Sequence, residues 1–494
     1  MIIELATIVL ITTAGSALIY STGYSGLLLP VLGFIAGLCL QIIIGFIQVI
    51  SFLPNTPVLT ITLTVTISLS IYFLRNKSLT ENYIRFSKIL IIIPLTSIFV
   101  LITIYLSKEI LYIKHVDSME YLAIGSMLTQ GTFSDGISLY QLQKRMLAVP
   151  LMHAPANLGN NYFFISITPL IAVSTLFIIF WILYNGLKTN IKNNINIYLY
   201  CILGILLLVS NNRFIMHAFY INGHLFFAVL ILIIAGCGWL IILNTNISIH
   251  TLYFLQSLSI PVIMFTRPES PLIVFLVLLP VILSNQIDLR YRISLILIFG
   301  VSVIFWHLFL ASLHIQQFNI PPVSILGLLF FGLMAVFSIY LLVYMNLEKI
   351  SHHILAGIEI GLWLVLLAFI AIKPGIFYDS IIATYYNVIS LSGYWGSSVV
   401  ILGILVVTAL VMTDIPGKIF LRFPITTYIP MFFILAYLRG GAYRVGGGDS
   451  LNRMLIQVVP LAVLFVAAAA SSRHWGLPSW LRKGNRHQTG CGAA

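Results

Sequence analysis

Apolar runs long enough to cross a bilayer recur along nearly all of this 494-residue chain. A spanning helix needs about 20 apolar residues. Fifteen segments read that way: 2–20, 26–50, 57–74, 87–107, 163–184, 197–210, 224–243, 250–266, 270–285, 293–313, 323–345, 353–372, 396–413, 424–438 and 454–471. Three of them (197–210, 250–266 and 424–438) are short, so the expected count is 13 to 15. Only 8% of the residues are charged and 60% are hydrophobic, whereas a water-facing surface draws on about 25% charged residues. A soluble domain, a soluble multidomain enzyme and a disordered chain are excluded. The expected fold class is an all-α, polytopic integral membrane protein.

The few charges are unevenly placed. The chain has 25 Lys and Arg against 13 Asp and Glu, a net +12, yet no basic run resembles a nucleic-acid patch. Fifteen of the 25 cations fall in alternate loops, among them Arg75, Lys188, Arg290, Lys349 and Lys418, and in the tail after residue 471. Cations resist translocation, so those loops are expected on the cytoplasmic side, with the N-terminus outside and the C-terminus inside. A bacterial inner membrane is the default location. The acids favour the other side, where Glu109, Asp117, Glu120, Asp135, Glu269, Asp379 and Asp449 fall.

Cys39, Cys201 and Cys237 lie in apolar stretches, and with Cys491 they form no CxxC or disulfide framework. No cleavable signal is expected at the start, which lacks a basic n-region. Both N-x-S/T sequons, at Asn76 and Asn246, are expected inside. The organisation read from the chain is a four-span segment over 1–107, an outer loop over 108–162, a membrane core over 163–471 and a basic tail over 472–494. Further outer loops lie near 211–224, 373–395 and 439–453.

The first outer loop carries the most specific signal. Asp117-Ser-Met-Glu120-Tyr121 follows a span directly and opens a short helix of small and apolar residues that ends at Gly131. A carboxylate at the lip of a span is partly desolvated, which strengthens it as a base. The plain alternative is a capping box, with Asp117 as the N-cap and Glu120 as its partner.

This pattern resembles the GT-C superfamily of membrane glycosyltransferases, similar to its aminoarabinose transferase and protein mannosyltransferase types. Many members carry an Asp in the first outer loop with Tyr four residues on, as in D-E-x-x-Y, and a small-residue helix ending in Gly. Asp117, Tyr121 and Gly131 match, and Ser118 stands where the second acid would be. Lys144-Arg145 and Pro150-Leu-Met-His153 look like the basic and Pro-Leu elements that follow in members of the family. Asn222-Gly-His224, Arg267-Pro-Glu269 and Arg453 before Pro460 occupy similar places further on. Four spans precede the acidic loop here, where some members have one. The resemblance implies a polyprenyl-phosphate sugar as donor and a lipid, glycan or protein as acceptor. It implies Asp117 and Glu120 as the catalytic acids.

Three other constellations stand out. Arg439-Gly-Gly-Ala-Tyr443-Arg444-Val-Gly-Gly-Gly-Asp449-Ser-Leu-Asn-Arg453 is the densest polar stretch. Its arginines suit phosphate oxygens, or else a flexible loop touching membrane lipids. Arg213, His217, Tyr220, Asn222 and His224 form a second outer group, suited to phosphate and sugar hydroxyls. A divalent metal on the two histidines is the other option there. Arg267 and Glu269 flank Pro268 between two apolar segments and mark either a wet cavity or a salt-linked turn. Tyr378, Tyr385, Tyr386, Tyr394 and Trp395 make 373–395 aromatic, like an interfacial belt.

The leading expectation is an inverting, lipid-dependent glycosyl transfer. Asp117 would take the acceptor's proton, while Lys144, Arg145, Arg213, Arg439, Arg444 and Arg453 supply the cations for the leaving phosphate. The alternatives are a flippase or secondary transporter, for which Glu359 within a span would be the relay, and an O-antigen polymerase or ligase.

Overall fold

The computed structural model describes residues 1–51, 56–75, 90–111, 116–130, 139–318, 347–390 and 392–472. Among them no strand occurs, and the chain is a bundle of helices. In order these are α1 (Ile2–Ser21), α2 (Leu29–Ile50), α3 (Pro57–Arg75), α4 (Ile92–Ser107), α5 (Val116–Gln130), α6 (Leu139–Arg145) and α7 (Ala148–His153). There follow α8 (Ile167–Leu187), α9 (Asn194–Val209), α10 (Asn212–Ala218), α11 (His224–Ile242), α12 (Ile249–Met264), α13 (Ser270–Ile282) and α14 (Leu289–Phe318). The last are α15 (Leu347–Ile372), α16 (Pro374–Thr384), α17 (Ser397–Met412), α18 (Lys418–Leu438), α19 (Ser450–Leu455) and α20 (Val459–Ala470).

Fourteen of the fifteen expected segments coincide with helices, and 323–345 lies outside the described residues. Among the described residues, eight helices are long and apolar enough to cross a membrane by length and composition. The short segments resolve differently. Segment 197–210 is α9, which is bent by 78° from α10. The bend falls at Asn211, whose side-chain oxygen leaves the first helix behind and caps the second, accepting from Arg213 N at 3.0 Å and Phe214 N at 3.2 Å. Segment 250–266 remains a 16-residue helix with Pro261 inside. Segment 424–438 begins six residues earlier than expected, at Lys418. Arg422 is therefore helical and donates to Glu359 at 3.0 Å, with Thr426 2.5 Å from the same carboxylate.

α11 forms the centre, apolar on every side and almost wholly buried. α15 lies at the rim and leaves Ile360, Trp363, Leu364, Val365 and Leu367 exposed, a surface suited to acyl chains. Between apolar helices, close backbone approach replaces the hydrophobic drive. Gly33 and Gly37 of α2, one turn apart, press on Ser16 and Ile11 of α1, where an added Cβ would strike backbone. Sparse polar bonds then fix the ends. Glu4 accepts from Ser166 N and Oγ, both at 2.7 Å, and Trp239 Nε1 donates to Pro416 O at 2.9 Å.

The expected outer loops are largely structured. The stretch 108–162 carries α5, α6, α7 and a 3-10 turn (Ala154–Gly159), and 373–395 carries α16 and a π turn (Tyr385–Ile389). Within that second stretch Trp395 is fully buried, whereas Tyr378, Tyr385, Tyr386 and Tyr394 stay exposed.

Gly37→Ala is expected to lower thermal stability in detergent by about 1–3 kcal/mol through overpacking. Gly403→Ala, where nothing lies within 4 Å, serves as the control and should be neutral or mildly stabilising. Equal melting temperatures for the two variants would contradict the close α1–α2 contact.

Candidate functional site

Three segments far apart in sequence deliver charged side chains to one point. Asp117 lies in the first turn of α5, Arg145 ends α6 and Arg453 sits in the last turn of α19. One Asp117 oxygen pairs with Arg145 Nη2 and the other with Arg453 Nη1, while Arg145 Nε pairs with Glu120. Asp117 and Arg145 are buried. The capping-box expectation gives way here: Asp117 is inside the helix, and its carboxylate pairs with two guanidiniums. The expectation of a base strengthened by desolvation changes too, because two cations face it and taking a proton requires one pair to open.

The backbone explains how Arg145 is aimed. Met146 directly after it adopts φ +55, in the left-handed region, which costs a non-glycine residue about 1–3 kcal/mol. That reversal sends Leu147 N and Ala148 N onto Phe265 O, at 3.0 and 2.8 Å. The end of α12 therefore holds the turn that orients Arg145. Gly125 lets α5 lie against Pro150 of α7, 3.0 Å from where a Cβ would stand, and Ser118 Oγ donates to Ile221 O at 2.8 Å. Arg453 is placed by Asp449, which caps α19 through Leu451 N at 2.9 Å.

A second layer backs the first. Arg267 Nε donates to Glu269 at 3.0 Å, and the Arg267 side chain lies close enough to Tyr121 to interact with it electrostatically. The Tyr121 ring in turn lies 5.6 Å from the Arg145 guanidinium. Gln457 Nε2 donates to Glu269 at 3.1 Å and to His224 Nδ1 at 3.1 Å, while its oxygen accepts from Tyr428 at 2.8 Å. Accepting at Nδ1 puts the His224 proton on Nε2. Burial alone would raise the Glu269 carboxyl, but the Arg267 charge and the Gln457 amide outweigh it and hold the group below its ordinary 4.5. Burial also pulls the Arg453 guanidinium down to about 10, and its Nε has no partner.

The third group lies around Arg213, which is fully buried and donates to Gly447 O at 2.6 Å. His217 Nδ1 donates to Arg213 O at 2.9 Å, leaving a buried, unpartnered Nε2 lone pair. Its ring is 6.3 Å from His224. Asn222 and Tyr220 are buried, and Asn222 stiffens the turn into α11 by accepting from His224 N at 2.8 Å.

The glycine-rich stretch is pinned rather than loose. Asn387 Nδ2 donates to Arg444 O at 2.8 Å and its oxygen accepts from Gly446 N at 2.7 Å. Asn452 donates to Gly446 O at 2.7 Å and accepts from Trp395 Nε1 at 2.9 Å.

The sequence-based candidates therefore divide. Asp117, Glu120, Tyr121, Arg145, Arg267, Glu269, His224 and Arg453 belong to one continuous network. Arg213, Tyr220 and Asn222 adjoin it through His217 and His224. Lys144, Arg439 and Arg444 lie on exposed surface. Arg439 is engaged with Ser450 and with the Tyr443 ring, and Asp449 is committed to its cap. His153 is a packing residue: Nδ1 accepts from Phe164 N at 3.2 Å, and burial lowers its pKa to about 3. Gly131 and Asp135 lie outside the described residues. Gln457, Tyr428, Asn387 and Asn452 were not foreseen; the spacing of Gln457, four residues after Arg453, was the available signal. Among the described residues no three His, Cys, Asp or Glu side chains gather as a metal site.

A carboxyl whose pKa is lowered on folding adds stability above its unfolded value, and that stability is lost as pH falls through the folded one. Acidifying from neutrality to about pH 3, below the reference carboxylate values, should therefore destabilise the wild type more than Glu269→Gln. Parallel melting curves against pH would contradict it. Comparison of the chain with protein-family models, with curated proteins and with solved structures finds no match.

Proposed function

We propose that the protein is an inverting glycosyltransferase that moves a sugar from a polyprenyl-phosphate donor to a lipid, glycan or protein acceptor at the outer membrane face. The observation that carries this reading is the meeting of acid and cation at one point. Asp117 touches both Arg145 and Arg453, and Arg453 retains an unpartnered, buried Nε. Arginine is suited to phosphate because its planar fork fits two oxygens at once.

In the reaction, the acceptor hydroxyl attacks the anomeric carbon from the face opposite the phosphate. Asp117 takes the hydroxyl proton as the new C–O bond forms. The bond from the anomeric carbon to the phosphate oxygen breaks, and its electron pair leaves with polyprenyl phosphate. Arg453 and Arg145 hold the growing negative charge. Tyr121 and the Arg267–Glu269 pair keep Arg145 and the floor of the site in place. His224, with its proton on Nε2, and Asn222 lie between the first group and Arg213 in the chain of contacts and are the groups we assign to the sugar hydroxyls. The side of the membrane follows from the loop cations, which favour placing the end of the bundle opposite this site in the cytoplasm.

The transporter reading receives less support. The intramembrane acid it would use, Glu359, is engaged by Arg422 and Thr426. Protein reconstituted in vesicles with radiolabelled polyprenyl-phosphate sugar should transfer label to acceptor. Asp117→Asn should lower the rate about 10²–10⁴-fold, the usual contribution of a general base. Translocation of intact donor without transfer would overturn the assignment, as would near-normal turnover by the variant.

A further inference from the structure

Asp117 occupies the guanidiniums that an anionic ligand would take. Its two oxygens sit on Arg145 and Arg453 much as two phosphate oxygens would, and Asp117 and Glu120 together face Arg145 and Arg453. The two cations are not equally committed. Arg145 is shared between Asp117 and Glu120 and lies over the Tyr121 ring, so it keeps partners if Asp117 departs. Arg453 meets Asp117 through Nη1, while its buried Nε, on the other edge of the guanidinium, has no partner. Arg453 is therefore less fully engaged than Arg145.

From this asymmetry we infer that Asp117 is a place-holder: a phosphate displaces it from Arg453, and only the displaced carboxylate is free to accept a proton. Resting on the glycosyl-transfer reading, this adds a regulatory step to the same site. The general base is withheld until the donor phosphate arrives, because the carboxylate and the phosphate compete for one guanidinium. The incoming phosphate adds negative charge beside Asp117 and Glu120. A proton taken up by Asp117 from the acceptor offsets that charge, so donor binding and proton abstraction reinforce each other. Glu120, still held by Arg145, is left to keep that arginine in position.

The test is a binding measurement that needs no sugar and no turnover. Full-length protein in detergent is titrated with inorganic phosphate and, separately, with a short-chain polyprenyl monophosphate, following heat and thermal shift. Removing a competing charge in direct contact should tighten phosphate binding by at least about tenfold in Asp117→Asn. Asp379→Asn, which removes an equal but exposed charge elsewhere, should leave affinity unchanged. Arg453→Gln should weaken binding. If Asp117→Asn is poorly stable because Arg145 and Arg453 each lose a charged contact, phosphate should raise its melting temperature more than that of the wild type. Tightening for both ligands supports the exchange with the phosphate group alone recognised. Tightening for the polyprenyl phosphate alone supports it with a lipid headgroup as the source, and for inorganic phosphate alone with a free anion. Unchanged or weaker binding of both ligands to Asp117→Asn, with no added thermal stabilisation, overturns it. Tightening without any glycosyl transfer by the wild type would leave the place-holder standing and remove the enzyme reading.

Discussion

The contact of one buried carboxylate with two arginines organises the end of this bundle. A charge taken out of water is costly unless it is paired, and breaking a buried pair typically costs about 3–5 kcal/mol. Asp117, Arg145 and Arg453 each come from a different part of the chain, and none could be buried alone. Their pairing therefore dictates how α5 and the turn after α6 meet α19. The left-handed Met146 and the paired amides on Phe265 O follow from that demand, since without the reversal Arg145 would not point at α5.

A second ionic pair beneath the first gives the site depth. Arg267 and Glu269 sit between α12 and α13, and Gln457 links Glu269 to His224 on the central helix. Each polar group in this layer is the partner of another, as a low-dielectric setting requires. Against that satisfied background, the exceptions point to a purpose. Near the site Arg453 Nε, Arg213 Nε, Asn211 Nδ2, His153 Nε2 and His217 Nε2 are buried without partners, as are several atoms elsewhere in the bundle. The guanidinium groups are donors and the His217 imidazole nitrogen a lone pair. That combination suits a ligand with a phosphate at one end and hydroxyls at the other.

Much of the architecture was legible because a bilayer imposes a simple rule on sequence: long apolar runs become helices. The first-loop acids and Arg145, Arg267, Glu269 and Arg453 were also readable, because charges are rare enough here for each to need a reason. Side-chain commitments were not. Nothing in Asp449 distinguishes a helix cap from a ligand group, and nothing in Arg439 distinguishes a loop brace from a phosphate contact. His153 is adjacent to the site in sequence, yet its bond goes to the backbone of Phe164. Neutral residues such as Gln457, Asn387 and Asn452 escaped notice because a single amide in an apolar stretch has no signature until its partners are known. Helix edges failed for a related reason: Lys418 and Arg422 look like loop residues until Glu359 supplies Arg422 with a counter-charge from α15 and the carbonyls of Leu410 and Thr413 take the Lys418 ammonium.

The account's central claim is that the Asp117–Arg145–Arg453 cluster receives a lipid-linked phosphate. An experimental structure of the protein with polyprenyl phosphate bound tests it most directly. The account predicts phosphate density on Arg453, with Arg145 close by and the Asp117 carboxylate moved off the Arg453 guanidinium. Phosphate held by Arg439 and Arg444 on the exposed loop, with Asp117 still paired to both of its arginines, would contradict it.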